Sequence, residues 1–193
     1  MSGSWCRKPF DVTRTTYASA RPDEGFGSVS SLPMTTIVYT DGACRGNPGP
    51  GGWAWAIDEA RFGTGVDVHT TNQRMELTAA FEAVGSIEGP LEVRSDSTYV
   101  VHCFRDEWHV GWRRRGWRNS QRQPVANRDL WEPFIELVLQ RGDVTFSWVK
   151  GHAGDPMNEL VDRLAVEASS GPFDAEAASS ISQRPTERTD TLF

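Results

Sequence analysis

Four acidic side chains belong to four separate predicted secondary-structure elements or directly follow them. Asp41 and Asp96 each follow a short strand-like run, while Glu76 and Asp162 lie in helical patterns. If four anions met at one sheet edge, their repulsion would destabilise the fold unless a counter-charge were present. A few rigid carboxylates with room for water and phosphate suit Mg²⁺ better than Ca²⁺. Two such ions could activate a water and stabilise the leaving oxygen of a displacement at phosphorus.

Each of these acids also has an ordinary structural interpretation. An aspartate after a strand is often a turn or cap residue, which is the alternative for Asp41 and Asp96. Glu76 could simply complement a helix dipole, and Asp162 could lie on a solvated helix face. Residue types alone therefore leave a metal site and a set of unrelated structural acids as open alternatives.

The periodicity of the chain predicts the elements that would position these acids. Alternating or β-branched runs predict five strands, at residues 36–40, 52–57, 63–69, 91–95 and 144–149. Helical spacing predicts helices at residues 77–84, 97–104 and 127–140, and a last one from Pro156. Asn127 is a candidate N-cap, and Pro156 occupies a favourable early helix position. The order β-β-β-α-β-α-α-β-α, with an insert before the third helix, predicts a mixed α/β sheet whose active site lies at strand ends.

Composition limits the remaining possibilities. The 193 residues predict one domain, at 34–169, between a disordered N-terminal extension (1–33) and a disordered tail (170–193). No run approaches the ~18 apolar residues of a membrane span, and the first 33 residues lack a signal-peptide pattern. The three cysteines form no CxxC pair, so a disulfide framework or a zinc ribbon is not expected. We therefore expect a cytoplasmic protein without a membrane partner.

The net charge of −6 conceals one strongly basic element. Residues 113–128 contain six arginines and no acid, whereas the rest of the predicted domain is strongly acidic. The negative net charge alone would argue against a nucleic-acid partner. A concentrated basic patch on an acidic body is nevertheless compatible with one.

Four sequence blocks resemble the motifs of type 1 ribonuclease H, in the family's order and spacing. The blocks are Tyr39-Thr-Asp-Gly-Ala-Cys-Arg-Gly-Asn-Pro-Gly-Pro-Gly-Gly-Trp53, Thr70-Thr-Asn-Gln-Arg-Met-Glu-Leu77, Ser95-Asp-Ser-Thr-Tyr-Val100 and Trp148-Val-Lys-Gly-His-Ala-Gly154 with Asn158, Glu159 and Asp162. The resemblance covers about residues 35–168. It implies a ribonuclease H-like fold, a five-stranded mixed sheet flanked by helices with a basic protrusion.

The resemblance also implies a catalytic role for each matching residue. Asp41 would bridge two Mg²⁺ ions, for which Mn²⁺ is a possible substitute, and Glu76 with Asp96 would complete one of the two sites. Asp162 would bind the ion nearer the attacking water. His152 would assist proton transfer or product departure from a mobile loop, a role that suits an imidazole.

The implied substrate is an RNA–DNA hybrid, whose 2′-hydroxyls lie in a wide minor groove. The resemblance assigns substrate contacts to short polar residues and to Lys150, namely Cys44, Asn47, Thr71, Asn72, Gln73, Thr98 and Lys150. Thr71 would hold a DNA-strand phosphate. Thr98 departs from the family pattern, which often has Gln or Asn there, so one base contact is in doubt.

The stretch 108–122 resembles the family's basic protrusion. Arg113, Arg114 and Arg115 would face phosphates, and Trp117 would line the path of the DNA strand. Trp108 and Trp112 at this point are expected to pack into a small local core.

The resulting prediction is a monomeric, Mg²⁺-dependent endonuclease that cleaves the RNA strand of RNA–DNA hybrids, leaving 5′-phosphate and 3′-hydroxyl ends. Two alternatives remain at this point. One is a recombinase- or transposase-like strand-transfer enzyme with a similar sheet, and the other is a non-catalytic module that binds hybrids.

Overall fold

A five-stranded mixed sheet forms the centre of the molecule. The computed structural model describes residues 34–171, so the predicted extension at 1–33 and the tail from 172 onward lie outside the described residues. The strands are β1 (Thr36–Cys44), β2 (Gly49–Ala56), β3 (Phe62–Thr70), β4 (Leu91–Ser95) and β5 (Val144–Trp148). Their order is β3-β2-β1-β4-β5, with β1, β2 and β3 antiparallel and with β4 and β5 parallel to β1. The predicted mixed sheet is confirmed.

Five helices complete the described part of the chain. They are α1 (Asn72–Ser86), α2 (Thr98–Arg105), α3 (Trp108–Arg114), α4 (Arg128–Arg141) and α5 (Pro156–Ser170). The predicted order is confirmed apart from α3, a seven-residue helix inside the basic stretch. Its consecutive arginines and Gly111 weaken the apolar periodicity from which the other helices were predicted. None of the helices within 34–171 is both long and apolar enough to cross a membrane.

The alternation of side chains along the strands builds a core on each face of the sheet. Val38 on β1 and Val93 on β4 belong to the larger core, which α1, α2 and α4 cover. Tyr39, the next residue on β1, belongs to the smaller core with Leu160 and Val161 of α5. The chain thus has helices on both faces, and α5 lies on the face opposite α1.

The first strand is longer than its β-branched run predicts. β1 continues through Asp41 to Cys44 because β2 pairs with it as far as Cys44 and Gly51. Asp41 therefore lies inside a strand, opposite Ala54, and the prediction that it directly follows the strand is wrong. Glycines at this end of the hairpin supply no apolar pattern, so the sequence conceals the extension.

The starts of α5 and α4 differ in whether a polar side chain caps them. Asp155 caps the amides of Met157 and Asn158 at the start of α5, and Pro156 occupies the predicted early position. Asn127 precedes α4 as predicted, but its backbone is left-handed and its side chain makes no cap hydrogen bond.

The last helix, α5, ends at Ser170. The hydroxyls of Ser169 and Ser170 both donate to the carbonyl of Val166, which satisfies polar groups within the last turn. The structure describes one further residue, Gly171.

Candidate active site

The site opens where β1 and β4 stop pairing. Their ladder ends at the pair Tyr39 and Arg94, after which β1 continues beside β2 and β4 ends at Ser95. Asp41 and Asp96 each lie two residues beyond that last pair, at the mouth of the gap between the two strands. The topology therefore brings together two carboxylates that are 55 positions apart.

The other three predicted acids all act on Asp41 through charge repulsion. Its pKa is raised to about 7, first by burial and then by repulsion from Asp96, while the amide of Gly42 opposes the shift. Asp162 and Glu76 add further repulsion. Asp41 accepts a hydrogen bond of 2.7 Å from Gly42 N. The anion is costly here because no counter-charge among residues 34–171 compensates it.

The carboxylate of Glu76 is held by two donors. Asn72 Nδ2 donates to Oε1 at 2.8 Å, and Ser97 Oγ donates to Oε2 at 2.6 Å. Burial raises the pKa of Glu76 most strongly, and repulsion from Asp96 adds to it, whereas the hydrogen bonds from Ser97 and Asn72 lower it. These contacts tie the start of α1 to the loop after β4.

The start of α1 approaches β1 so closely that only glycine fits at position 42. A Cβ on Gly42 would overlap the backbone nitrogen of Glu76 and the carbonyl carbon of Met75. Because both atoms belong to the backbone, neither can move without displacing α1. Gly42 thus sets the approach of Glu76 to Asp41.

Asp96 connects the site to α5 and to the end of β5. Its Oδ2 accepts a hydrogen bond of 3.4 Å from Asn158 Nδ2, and its backbone carbonyl accepts one of 3.1 Å from Trp148 Nε1. Asn158 is only 2% exposed, and its Oδ1 has no partner within the described residues. Asp162 lies one helical turn beyond Asn158, which brings its carboxylate to the same end of the sheet.

The donor set fits a hard divalent cation. All four acids offer oxygen ligands, and repulsion from the other three adds to the burial that raises the pKa of Asp41. Within residues 34–171, no three carboxylate, imidazole or thiol groups are close enough to ligate one ion together. An ion held here would complete its shell with water and phosphate oxygens, as Mg²⁺ commonly does.

His152 and Lys150 lie on the loop between β5 and α5, and both side chains are exposed. His152 has a left-handed backbone with φ of 51°. The loop packs against the acids through Gly151, where a Cβ would lie 2.5 Å from Asp96 Oδ2. The structure thus places the predicted histidine on a loop that borders the site.

The predicted substrate residues around this end of the sheet differ in how exposed their side chains are. Asn47, Gln73 and Thr98 are exposed. Cys44 is half-buried, and its Sγ lies 3.5 Å from the carbonyl of Gly49 and 3.4 Å from that of Thr70.

Two more of the predicted substrate residues already serve the fold. The hydroxyl of Thr71 caps α1 by accepting from Arg74 N at 3.4 Å, and the amide of Asn72 holds Glu76. Any contact that these two side chains make with a substrate must therefore be shared with a structural hydrogen bond.

The basic protrusion consists of α3 and the loop to α4, residues 108–127. Arg113, Arg114 and Arg115 are exposed as predicted. Arg115 Nε donates to the carbonyl of Arg118 at 3.1 Å, and Arg118 Nη1 donates to that of Arg122 at 2.8 Å. These bonds hold the arginine-rich loop against the helix.

The three tryptophans of the protrusion differ in burial. Trp112 is 7% exposed and packs against Trp131, so its predicted core role is confirmed. Trp108 is 39% exposed, and the same prediction for it is wrong because it lies at the start of α3, one turn outside the core. Trp117 is half-buried, packs against the larger core and lies under the guanidinium of Arg128, whose Cζ is 5.0 Å from the ring centroid.

Sequence reasoning missed the roles of Ser97 and Asn158. Both lie within the recognised blocks, but neither was given a role there. The available signal is their spacing, since Ser97 adjoins Asp96 and Asn158 lies four residues before Asp162. Arg74 was missed as well, and its guanidinium forms a bidentate ion pair with Asp129 that joins α1 to α4.

Comparison with known proteins agrees with this geometry. The model of the RNase H family matches residues 33–170, which is more than half of the chain. The chain belongs to the RNase H family. The family resemblance and the ribonuclease H-like fold inferred from the four blocks are thereby confirmed.

Relatives of this RNase H family member share much of its sequence. The chain is 44% identical over 156 residues to a ribonuclease H of Pelobacter propionicus, covering 78% of this chain and 94% of that protein. It is 46% identical over 140 residues to ribonuclease HI of Caulobacter vibrioides, covering 70% of this chain and 92% of that protein. The chain is therefore an enzyme of the ribonuclease H type.

A solved structure shares the fold at lower sequence identity. LC11-RNase H1, whose crystal structure is a complex with an RNA/DNA hybrid, aligns with a TM-score of 0.54 and 22% identity. The alignment covers 69% of this chain and 96% of that one.

Proposed function

We propose that this RNase H family member hydrolyses the RNA strand of RNA–DNA hybrids, leaving 5′-phosphate and 3′-hydroxyl ends. The observation that carries the proposal is that Asp96, Asp162 and Glu76 lie close enough to the half-buried Asp41 to repel its charge. The hybrid bound to the related LC11-RNase H1 supports the choice of substrate.

Asp41, Glu76, Asp96 and Asp162 would hold two divalent ions, Mg²⁺ or in its place Mn²⁺. When bound, the ions would lower the pKa of a water and stabilise the leaving oxygen. The chain's own contribution is rigidity, because Ser97 and Asn72 hold Glu76 and Asn158 holds Asp96 by hydrogen bonds. Pre-oriented carboxylates need little rearrangement when the substrate phosphate arrives.

His152 would move a proton at the 3′-oxygen leaving group or assist product departure. Its exposed ring lies on a loop that Gly151 brings against Asp96, so the imidazole is near the acids without being buried by them. An imidazole is the side chain best suited to accepting and releasing a proton during catalysis near neutral pH.

The surface around the acids would recognise the hybrid through sugar and phosphate. Short polar side chains at Cys44, Asn47, Asn72 and Gln73 would read 2′-hydroxyls in the minor groove. Further contacts to sugar or phosphate would come from Thr71, Lys150, Arg113, Arg114, Arg115 and Trp117, and Thr98 lies at a position that contacts a base in the family. Sequence specificity should be slight because such contacts do not distinguish bases.

A single cleavage assay tests this function. Labelled RNA–DNA, RNA–RNA and DNA–DNA duplexes are incubated with the full chain, with and without Mg²⁺, beside Asp41→Asn. We expect cleavage of the RNA strand of the hybrid only, dependent on Mg²⁺ and abolished by the substitution. Cleavage or joining of duplex DNA would favour a strand-transfer enzyme, and hybrid binding without cleavage would indicate a binding module. We further expect a cytoplasmic monomer, which sedimentation and cell fractionation would test.

A further inference from the structure

The hydroxyl of Tyr39 lies between a basic and an acidic side chain. Arg94 Nη1 donates to the hydroxyl oxygen at 3.2 Å, and the hydroxyl donates to Asp155 Oδ2 at 3.1 Å. Tyr39 is 8% exposed, so water competes little for this hydroxyl. The three residues come from β1, from β4 and from the residue that begins α5.

The carboxylate of Asp155 uses its two oxygens for two different tasks. Oδ1 caps α5 by accepting from Met157 N at 3.0 Å and Asn158 N at 3.3 Å. Oδ2 accepts from Tyr39. Asparagine could keep the cap, but its second atom would be a donor facing a hydroxyl that already receives one from Arg94. Position 155 therefore uses both acceptor oxygens of a carboxylate.

The hydrogen bonds form a path that leaves β4 at Arg94 and returns to Asp96, the residue after the strand. The path runs from Arg94 to Tyr39, then to Asp155 and the capped amide of Asn158. Asn158 Nδ2 then donates to Asp96, two residues beyond Arg94. The arrangement closes around the start of α5 and ends at a candidate metal-binding carboxylate.

The first member of this path is itself fixed in place. Arg94 forms an ion pair with Glu92 on the same strand, through Nε at 2.9 Å and Nη2 at 3.4 Å. The hydrogen bond from Arg94 lowers the pKa of Glu92. A guanidinium held at two points can present its third nitrogen to Tyr39 with little loss of rotamer freedom.

We propose that Tyr39, Arg94 and Asp155 form a positioning network that holds the start of α5 and the loop 149–155 against Asp96. Tyr39 lies two residues before Asp41, and Arg94 two residues before Asp96, so the network spans the two strands directly behind the acids. Its effect on catalysis rests on the proposed function. Its effect on the loop does not.

If the network positions the loop and α5, variants that break it should lower kcat and not only the stability of the fold. Tyr39→Phe removes the link but keeps the aromatic packing, and Asp155→Asn removes it while keeping a good N-cap. Each should lower kcat about threefold to tenfold, the effect of one lost hydrogen bond, with little change in KM. The double variant should be no worse than the poorer single variant, because both break the same link.

Tyr99→Phe is the matched control. The Tyr99 hydroxyl is also hydrogen-bonded at both ends, receiving from Trp131 Nε1 at 2.6 Å and donating to the carbonyl of Ala126 at 3.1 Å. It lies between α2 and α4, away from α5. We expect Tyr99→Phe to lower Tm about as much as Tyr39→Phe does and to leave kcat unchanged.

Limited trypsin digestion tests the network without using activity. Cleavage after the exposed Lys150 reports opening of the loop 149–155, and its rate is measured by mass spectrometry relative to other sites. Tyr39→Phe should accelerate this cleavage roughly fivefold, whereas Tyr99→Phe should not. An unchanged rate at Lys150, or additive losses of kcat in the double variant, would overturn the network. Wild-type protein that fails to cleave the hybrid would overturn the proposed function only.

Discussion

Gly151 lies against Asp96 so closely that a Cβ on the glycine would be 2.5 Å from the carboxylate oxygen Oδ2. The two residues come from a loop after β5 and a loop after β4, which are neighbouring parallel strands. The loop that carries His152 is therefore placed by direct contact with one of the four acids. Activity should be sensitive to this contact even though Gly151 has no chemistry of its own.

Gly151→Ala should lower kcat by about tenfold or more, because the methyl group must displace either Asp96 or the loop. The fold should change little, since the loop is partly exposed. Gly85→Ala is the control, because its Cβ would meet only Leu137, at 3.9 Å. That substitution should stabilise α1 by up to ~1 kcal/mol and leave kcat unchanged. Full activity of Gly151→Ala would show that the loop tolerates displacement from Asp96.

Asp41 should make the metal-free protein less stable as the pH rises. Its pKa is about 7 in the folded protein and 3.8 as the ordinary value, so the folded state binds the proton more tightly than the unfolded state. The stabilisation that the proton on Asp41 gives to the folded state is complete below about pH 4 and is lost as the pH rises through about 7. In EDTA, Asp41→Asn should therefore exceed the wild type in unfolding free energy by roughly 2 kcal/mol at pH 8.

Urea unfolding at pH 4 and pH 8 checks this difference, which should be near zero at the lower pH. Mg²⁺ added at pH 8 should stabilise the wild type more than Asp41→Asn, because the ion binds the folded carboxylates. A wild type that is more stable than the variant in EDTA at pH 8 would contradict the prediction.

Neutralising Arg113, Arg114 and Arg115 to Gln should raise KM for the hybrid more than it lowers kcat. These exposed side chains lie on α3 and its end, away from the four acids, and would act on phosphates. The dependence of log KM on log salt should become shallower, by about 0.9 for each phosphate of a B-form duplex that is no longer neutralised. Arg61→Gln with Arg163→Gln is the control, since both are exposed and lie outside the protrusion. An equal effect of this control would indicate general electrostatic attraction only.

Arg141→Met should destabilise the fold by about 2–3 kcal/mol without affecting catalysis. The guanidinium donates to three carbonyls at the end of α1, those of Val84, Ile87 and Gly89, at 2.6, 2.5 and 2.5 Å. Removing it leaves these acceptors without a charged donor.

Arg163→Met is the comparison for Arg141→Met, because Arg163 pairs with Glu167 on an exposed helix face and should cost under about 1 kcal/mol. Urea unfolding and kcat measured on the same preparations separate stability from function. Equal costs for the two variants would show that the α1 carbonyls do not depend on Arg141.

The elements with regular periodicity were predictable because their burial pattern is local. β4 shows the alternation of a strand, and α1 and α5 show helical spacing, because one side of each element faces the core and the other does not. β1 beyond residue 40 and the helix α3 were not, since glycine, polar or basic residues interrupt the apolar pattern in both. Pairing with β2 stabilises the first, and packing of Trp112 on Trp131 stabilises the second.

The order of the four blocks in the sequence determined the family, the fold and the identity of the candidate acids. The amino-acid types alone also determined that any ion held there is a hard cation, because all four acids offer oxygen. These properties depend on residue identity and spacing along the chain.

Only the tertiary structure decided how the acids are held. Asn158 reaches Asp96 across 62 positions, and Tyr39 reaches Asp155 across 116. Such contacts follow from the divergence of β1 and β4 and from the way α5 lies across the sheet, neither of which has a periodic signature. A hydrogen bond between distant residues depends on the distance between two atoms, and the folded chain alone sets that distance.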